Sequence, residues 1–523
     1  MRTEFDFIIV GGGTAGCIVA SQLVEQERGT VLLLEAGSRA HGPDVSVPSR
    51  YANLFQSARD WNIKTVPQTA MQGRSLPYPR ARMLGGCSMM NAMIYMEGAL
   101  EDWQFDDGTC LTHWSPRDCE PAWKRVSERM HSQRPLGPQF GCSQTFLDAG
   151  AEMGWDLWNS ASAHAELGIG PFRTTIDNGR RVTSFHRYLK PWMGSSLLQV
   201  QTDGSVKRLL WKDQRAIGVQ ADIHGQEVLY YAKQAIILSA GAIHSPAILQ
   251  RSGVGDRDTL DAINVPCVVE HPNVGHNLQD HWIVPIVYHS DASQVASKPP
   301  SRSDRLQYVS KREGPVSSNL CEVGGFGRLG AGCARVGDSG IPDYQIHVTA
   351  HHYLEFPTKP EPVPAMSVGV TWLRPKSRGS VRAVIRDGHF AVDVDPAYFR
   401  NEDDLDHAIE SLMEVRKIGN TEVFQRHQLQ EIFPGPRWNS RDQWAKIVQR
   451  FATTLFHPVG TCRMGNTNDS VVDLQLQVRD VEGLYVVDAS VLPWIPRGNT
   501  QVPVMMVAER FLECWDRSRS DFS

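Results

Sequence analysis

Three glycines and an acid near the start of the chain have the types and spacing to hold a dinucleotide. Gly11, Gly13 and Gly16 form G-x-G-x-x-G, and Glu35 follows at the end of the next apolar run. Gly11 permits a tight turn, Gly13 lets the backbone approach a pyrophosphate, and Gly16 lets a helix pack closely on the strand before it. The amides that open such a helix attract phosphate charge. Glu35 can accept from both hydroxyls of a ribose. Two further stretches have similar possibilities. Arg82 to Asn91 sets Gly85 and Gly86 between a basic residue and a small-polar, apolar run, which suits close backbone approach to a planar or phosphorylated ligand, or an ordinary turn. Asp488 and Ala489 follow an apolar run, where a backbone amide can face a phosphate. None of this separates NAD from FAD.

The elements that must position these residues are legible around them. Phe5–Val10 reads as a buried parallel strand, Cys17–Val24 as a helix and Val31–Leu34 as a second strand, which is a Rossmann-like α/β unit. From Leu198 the chain turns to short strands with a hairpin turn at Asp222–Glu227. Ala235–Ser239 then runs through Ala240-Gly241 into a helix around Ser245–Gln250, so the nucleotide-binding unit resumes there. Residues 99–195 carry six tryptophans, at 103, 114, 123, 155, 158 and 192, and read as irregular and helical packing material. Alternation between Ala365 and Leu373, and the strands after Arg378, predict a sheet in a second domain. Glu402–Gly419 reads as an amphipathic helix with an acidic start. Leu484–Val487 is a buried strand, and a helix is expected from Val502. Three Ser-, Gly- or Pro-rich tracts, Ala292–Arg305, Gly330–Asp343 and Phe356–Ala365, have the composition of lids.

Bulk properties exclude several classes. At 523 residues more than one domain is expected, and 41% hydrophobic with 21% charged residues is a globular composition. A net charge of −5 offers no electrostatic footprint for nucleic acid. No run of about 18 uncharged apolar residues predicts a membrane span. The first strand begins at about Phe5, so no secretory leader is read and a cytoplasmic protein is expected. Ten scattered cysteines without a C-x-x-C pair read as reduced thiols. His347, His351 and His352 lack an accompanying thiolate or carboxylate cluster, and no metal site is expected. Ser245 is not in a G-x-S-x-G elbow. Arg80, Arg82, Arg180 and Arg181 read as surface or cofactor-side charges rather than a clamp for an acid.

Taken in order, VGGGTAG…LLLEAG, ARMLGGCSMMNAMIYMEG, LSAGAIHSPAILQRSGVG, NVGHNLQDH, PKSRGSV, FHPVGTCRMG and VVDASVLP…GNTQVPVMM resemble the motifs of the glucose–methanol–choline (GMC) oxidoreductases, nearest to their choline dehydrogenase and alcohol oxidase branch. The resemblance implies a Rossmann-like FAD domain interleaved with an α+β substrate domain built on an antiparallel sheet. The expected division is 1–160, 196–288 and 453–523 for FAD, with 161–195 and 289–452 for substrate. It also implies FAD rather than NAD, hydride transfer from a primary or activated alcohol to flavin N5, and reoxidation by oxygen or by a quinone or other acceptor.

His457 is the residue that the resemblance makes the base, a task suited to an imidazole whose ordinary pKa lies near neutral. Matching NTQVP to the family's N-T-N-x-P segment puts Gln501, not Asn499, at the second active-site position. Met90 stands where some members carry a flavin-bonding histidine, so FAD is expected to be non-covalent. Cofactor contacts are implied at Gly11, Gly13, Thr14, Ala15, Gly16, Glu35, Ala36, Arg82, Gly86, Asn91, Met93, Val206, Ala240, Gly241, Phe456, Asp488, Ala489 and Val502. Relatives of this fold also include hydroxynitrile lyases and a photodecarboxylase. A weakly catalytic flavoprotein, suggested by Gln501, is a further alternative. Neither the substrate nor the oligomeric state is legible.

Overall fold

The strand Glu4–Val10 forms because an apolar run ends at glycines that cannot extend it. In the computed structural model it lies at the centre of a seven-stranded sheet. Residues 2–39, 41–104, 111–131, 139–158, 164–290, 300–334, 340–354 and 364–520 are described. The sheet runs Leu198–Gln201, Val31–Leu34, Glu4–Val10, Gln226–Leu238, Arg215–Ile223 and Gly204–Lys212, with Leu484–Val486 beside the end of Gln226–Leu238. The 13-residue strand Gln226–Leu238 serves two masters. Its first half pairs antiparallel with Arg215–Ile223, and its second half is sandwiched in parallel between Glu4–Val10 and Leu484–Val486. That second half is buried from Ala235 to Leu238, as a central parallel strand must be.

Helix Thr14–Glu25 packs on this sheet and helix Gln501–Glu509 packs on Thr14–Glu25, where Gln22 reaches across to the Glu509 carbonyl at 3.0 Å. The two ends of the chain therefore share one core, with Leu23, Met505 and Phe511 all fully buried in it.

A second sheet, antiparallel throughout its main path, runs Gln430–Phe433, Trp282–His289, Ala365–Trp372, Tyr344–Thr349, Val323–Gly327 and Gly168–Pro171. Helix Glu402–Arg416, capped by the Asn401 side chain at the Asp403 amide, packs Ala408, Leu412 and Val415 into its core. All eight residues of Ala365–Trp372 are buried.

Two boundaries expected from sequence fall elsewhere in the sheets. Trp282–His289 belongs to the antiparallel sheet, so a division at 288/289 cuts off almost a whole strand from its neighbours. The hairpin Gly379–Arg386 and His389–Asp395 is not in that sheet; it pairs with His276–Leu278 and packs on helix Gly241–Arg251. Parts of the three lid-like tracts lie outside the described residues, which omit 291–299, 335–339 and 355–363. No helix among the described residues is long and apolar enough to cross a membrane.

Candidate active site

A cleft of about 1120 Å³ opens along the carboxyl edge of the parallel strands and extends to His457 and Asn499. Its near wall is the glycine loop. Gly11 has φ +103°, and a Cβ there would lie 2.5 Å from the Ser239 carbonyl oxygen. A Cβ on Gly16 would meet the Gly11 carbonyl oxygen, so this glycine seats the helix on the strand. Gly86, at φ +54°, would put a Cβ 2.6 Å from Gly13 Cα, so two glycine loops touch backbone to backbone. The helix that opens at Thr14 has no side-chain cap, leaving its first amides facing the cleft.

Glu35 is buried, with Oε2 accepting from the Gly12 amide at 2.9 Å and Oε1 from the Gly37 amide at 2.8 Å. Each oxygen keeps a further acceptor site. Asp488 accepts from the Gly241 amide at 2.8 Å, Ser245 Oγ at 2.5 Å and Ser490 N at 2.8 Å, and so locks helix Gly241–Arg251 to the C-terminal strand. This donor set, an uncapped helix, a backbone-only loop contact and a ribose-height carboxylate, fits a dinucleotide. Arg82 stands over Trp61 at 4.9 Å, and Trp61 stacks on His244 at 4.3 Å, forming an aromatic flank to the cleft.

Of the residues singled out by sequence, Thr14, Ala15, Ala36, Arg82, Asn91, Met93, Val206, Ala240, Gly241, Phe456, Asp488 and Ala489 line the cleft, as do Gly11, Gly13, Glu35 and Gly86. Gly16 and Val502 do not; Gly16 sits against the Gly11 backbone and the Val502 side chain turns into the core. Arg386 and Phe390, from the hairpin that sequence reading placed with the substrate domain, also line the cleft. Nothing in their local pattern marks them, because the hairpin reaches the cleft only through its packing on helix Gly241–Arg251.

His457 lies at the other end of the cleft. Its Nδ1 is 3.0 Å from His281 Nδ1, and His281 Nε2 is 3.0 Å from the Leu373 carbonyl oxygen. A carbonyl only accepts, so His281 carries its proton on Nε2 and its Nδ1 is bare. His457 must then donate from Nδ1, which leaves its Nε2 as an unprotonated acceptor facing the cleft. Asn499 Nδ2 is 3.3 Å from that nitrogen.

This corrects the sequence expectation: Asn499, not Gln501, stands beside the imidazole. Asn499 lies in the turn made by Gly498, at φ +94°, whereas Gln501 is the first residue of a helix and its Oε1 is taken by Asn91 Nδ2. The two positions are only two residues apart, and the local pattern N-T-Q does not say where the helix starts. The pKa expectation also changes. Burial above all, then the nearby His281, His347 and Arg80, depress His457 well below the ordinary imidazole range.

Sequence reading also missed the dipeptide Asp280-His281, although it lies in the quoted NVGHNLQDH. Asp280 is buried and accepts from the His457 amide at 2.7 Å, Thr454 Oγ1 at 2.6 Å, Tyr78 Oη at 2.8 Å and Tyr398 Oη. Phe456, just before the base, is left-handed at φ +67°. Its carbonyl accepts from Arg80 Nη2 at 2.7 Å, and its amide donates to Thr454 Oγ1 at 2.8 Å. The carboxylate holds the base by its backbone while its neighbour His281 holds it by its ring.

The cleft thus joins a dinucleotide-type glycine unit at one end to a buried, unprotonated imidazole nitrogen at the other. Two family descriptions match, GMC oxidoreductase over residues 5–283 and its C-terminal part over 375–508. The chain belongs to the GMC oxidoreductases, FAD-dependent enzymes acting on CH–OH groups. It is 31% identical to an oxygen-dependent choline dehydrogenase of Staphylococcus saprophyticus, covering 98% of this chain and 94% of that one. It is 31% identical to an alcohol dehydrogenase [acceptor] of Pseudomonas putida, covering 97% and 95%. Among solved structures, pyridoxine 4-oxidase from Mesorbium loti superposes with a TM-score of 0.85 at 28% identity, covering 98% and 99%.

Proposed function

We propose that this chain oxidises a primary or activated alcohol, with His457 as the base and Asn499 as the donor that holds the substrate oxygen. The observation that carries the reading is the bare Nε2 of His457, whose tautomer follows from the His281 bond to the Leu373 carbonyl. FAD, when bound non-covalently, supplies a two-electron acceptor for the hydride. The protein's part is positional. Gly11, Gly13, Thr14 and Glu35 hold the nucleotide end, and Gly86, Asn91 and Met93 approach the flavin end. Nε2 of His457 receives the hydroxyl proton, Asn499 Nδ2 steadies the oxygen, and the Nδ1 proton stays on His457, donated to His281 Nδ1 throughout. Burial disfavours the imidazolium so formed, which favours prompt release of the proton to the cleft.

With Asn499 in place, Gln501 no longer argues for a weakly catalytic flavoprotein. Anaerobic mixing of the holoenzyme with aliphatic and aromatic primary alcohols tests the reading. Bleaching of the flavin absorbance, lost in His457→Ala, is the expected result. A wild type that no alcohol bleaches, in a preparation retaining FAD, would sink it.

A further inference from the structure

Among the described residues, Arg181 is a buried cation without an acid. It is 3% exposed, and its donors go only to neutral oxygens. Nε donates to the Val45 carbonyl at 3.1 Å, and Nη1 to the Ser88 carbonyl at 3.2 Å and to Asn91 Oδ1 at 2.8 Å. Nη2 has no partner among the described residues. A charge taken out of water in this way is strongly unfavourable unless something opposes it. Burial lowers its pKa to about 9, so it remains charged at neutral pH.

The hydrogen bonds that leave Arg181 run in one direction. Asn91 Oδ1 accepts from Arg181 Nη1 and from the Met93 amide at 3.1 Å, so the amide presents Nδ2 to Gln501 Oε1. Gln501 in turn points Nε2 towards Met505 Sδ at 3.9 Å. Both amides line the cleft that holds His457, each with its positive end away from Arg181. Dipoles ordered in series by a charge polarise one another.

We infer that Arg181 is a positioning charge for the cofactor: through Asn91 and Gln501 it makes the flavin end of the cleft electropositive and stabilises the negative charge that a hydride brings to bound FAD. This rests on the reading that the reacting end of the flavin lies beside His457, Asn91 and Gln501. The same field also gives Gln501 a role other than the one sequence suggested.

Sulfite tests this without any alcohol. Its lone pair forms an S–N bond at flavin N5, its charge passes into the ring, and no other electron source is needed. The FAD-loaded wild type, Arg181→Gln and Arg181→Lys would be titrated with sulfite, and their two-electron potentials measured against redox dyes. The Gln variant is expected to bind sulfite at least tenfold more weakly, matching a potential about 30 mV more negative. The Lys variant, which keeps the charge, is expected to stay within about threefold of wild type. A Gln variant within twofold of wild type, a Lys variant as deficient as Gln, or a wild type that binds no sulfite would each overturn the inference. Should Arg181→Gln not retain FAD, Gln501→Leu breaks the relay and leaves the cation in place; unchanged sulfite affinity there would also overturn it. Wild type that takes sulfite but is bleached by no alcohol would retire the proposed reaction and leave this inference standing.

Discussion

Burial and the nearby His281, His347 and Arg80 all push the His457 imidazole towards its neutral form. A base must be neutral to accept a proton, so lowering its pKa moves the acidic limb of the rate profile down. With benzyl alcohol, which does not ionise in this range, kcat/KM is therefore expected to be flat between pH 6 and 8. An acidic limb centred at 6.5 or above would contradict the burial argument. Asn499→Ala removes the donor beside Nε2 and is expected to lower kcat/KM about ten- to hundredfold, the cost of one charge-assisted hydrogen bond. The place of Gly11, Gly13, Glu35 and His457 at the cleft was legible in the sequence because each sits within a short motif. Asn499 was not, because its place depends on where a helix begins. Arg181 read as a surface or flavin-side charge because a sequence does not show that an arginine is buried.

At the scale of elements, the cleft depends on loops that touch without side chains between them. Gly86→Ala would place a methyl group against Gly13 Cα and force a left-handed alanine, so both glycine loops must shift. FAD affinity should fall at least tenfold, measured by flavin fluorescence on reconstitution, while unchanged affinity would mean that the loops are not coupled. Asp280 ties four segments together, through Tyr78, Tyr398, Thr454 and the His457 amide. Asp280→Ala strands these buried donors and is expected to cost about 3 kcal/mol or more in denaturant unfolding. Asp280→Asn, which retains one acceptor for the amide and can donate from Nδ2 to the hydroxyl oxygens, should cost less; equal losses would show that the hydrogen bonds are not what matters. The strand–glycine–helix junctions were readable from local patterning. The second sheet was harder. Ala365–Trp372 is buried on both faces, so the alternation of Ser367 and Thr371 with apolar residues does not report exposure.

For the molecule as a whole, the chain crosses between two sheets several times, and the site forms where both contribute. The His457 segment follows Thr453–Thr454, which pairs with Trp282–Ile283 at the edge of the antiparallel sheet, while Gln501 opens a helix packed on Thr14–Glu25, which is itself seated on the parallel one. His347 comes from the middle of the antiparallel sheet, flanked by Gly324 and Gly369 on neighbouring strands. Both its ring nitrogens are buried without partners among the described residues, and burial depresses its pKa to about 3. A histidine with a folded pKa below its unfolded value of about 6.5 contributes stability that is intact above pH 6.5 and is lost as pH falls towards the folded pKa. The loss is about 1.4 kcal/mol per pH unit for such a group, or about 2 kcal/mol at pH 5. Other buried groups titrate too, including Asp280 and Asp488 with raised pKa values, which act in the opposite sense. Comparison with His347→Leu isolates the one residue. Unfolding of wild type and variant by urea at pH 7 and pH 5 should show the variant gaining about 2 kcal/mol relative to wild type at the lower pH. A difference independent of pH would mean that His347 finds a partner for its proton in the folded protein.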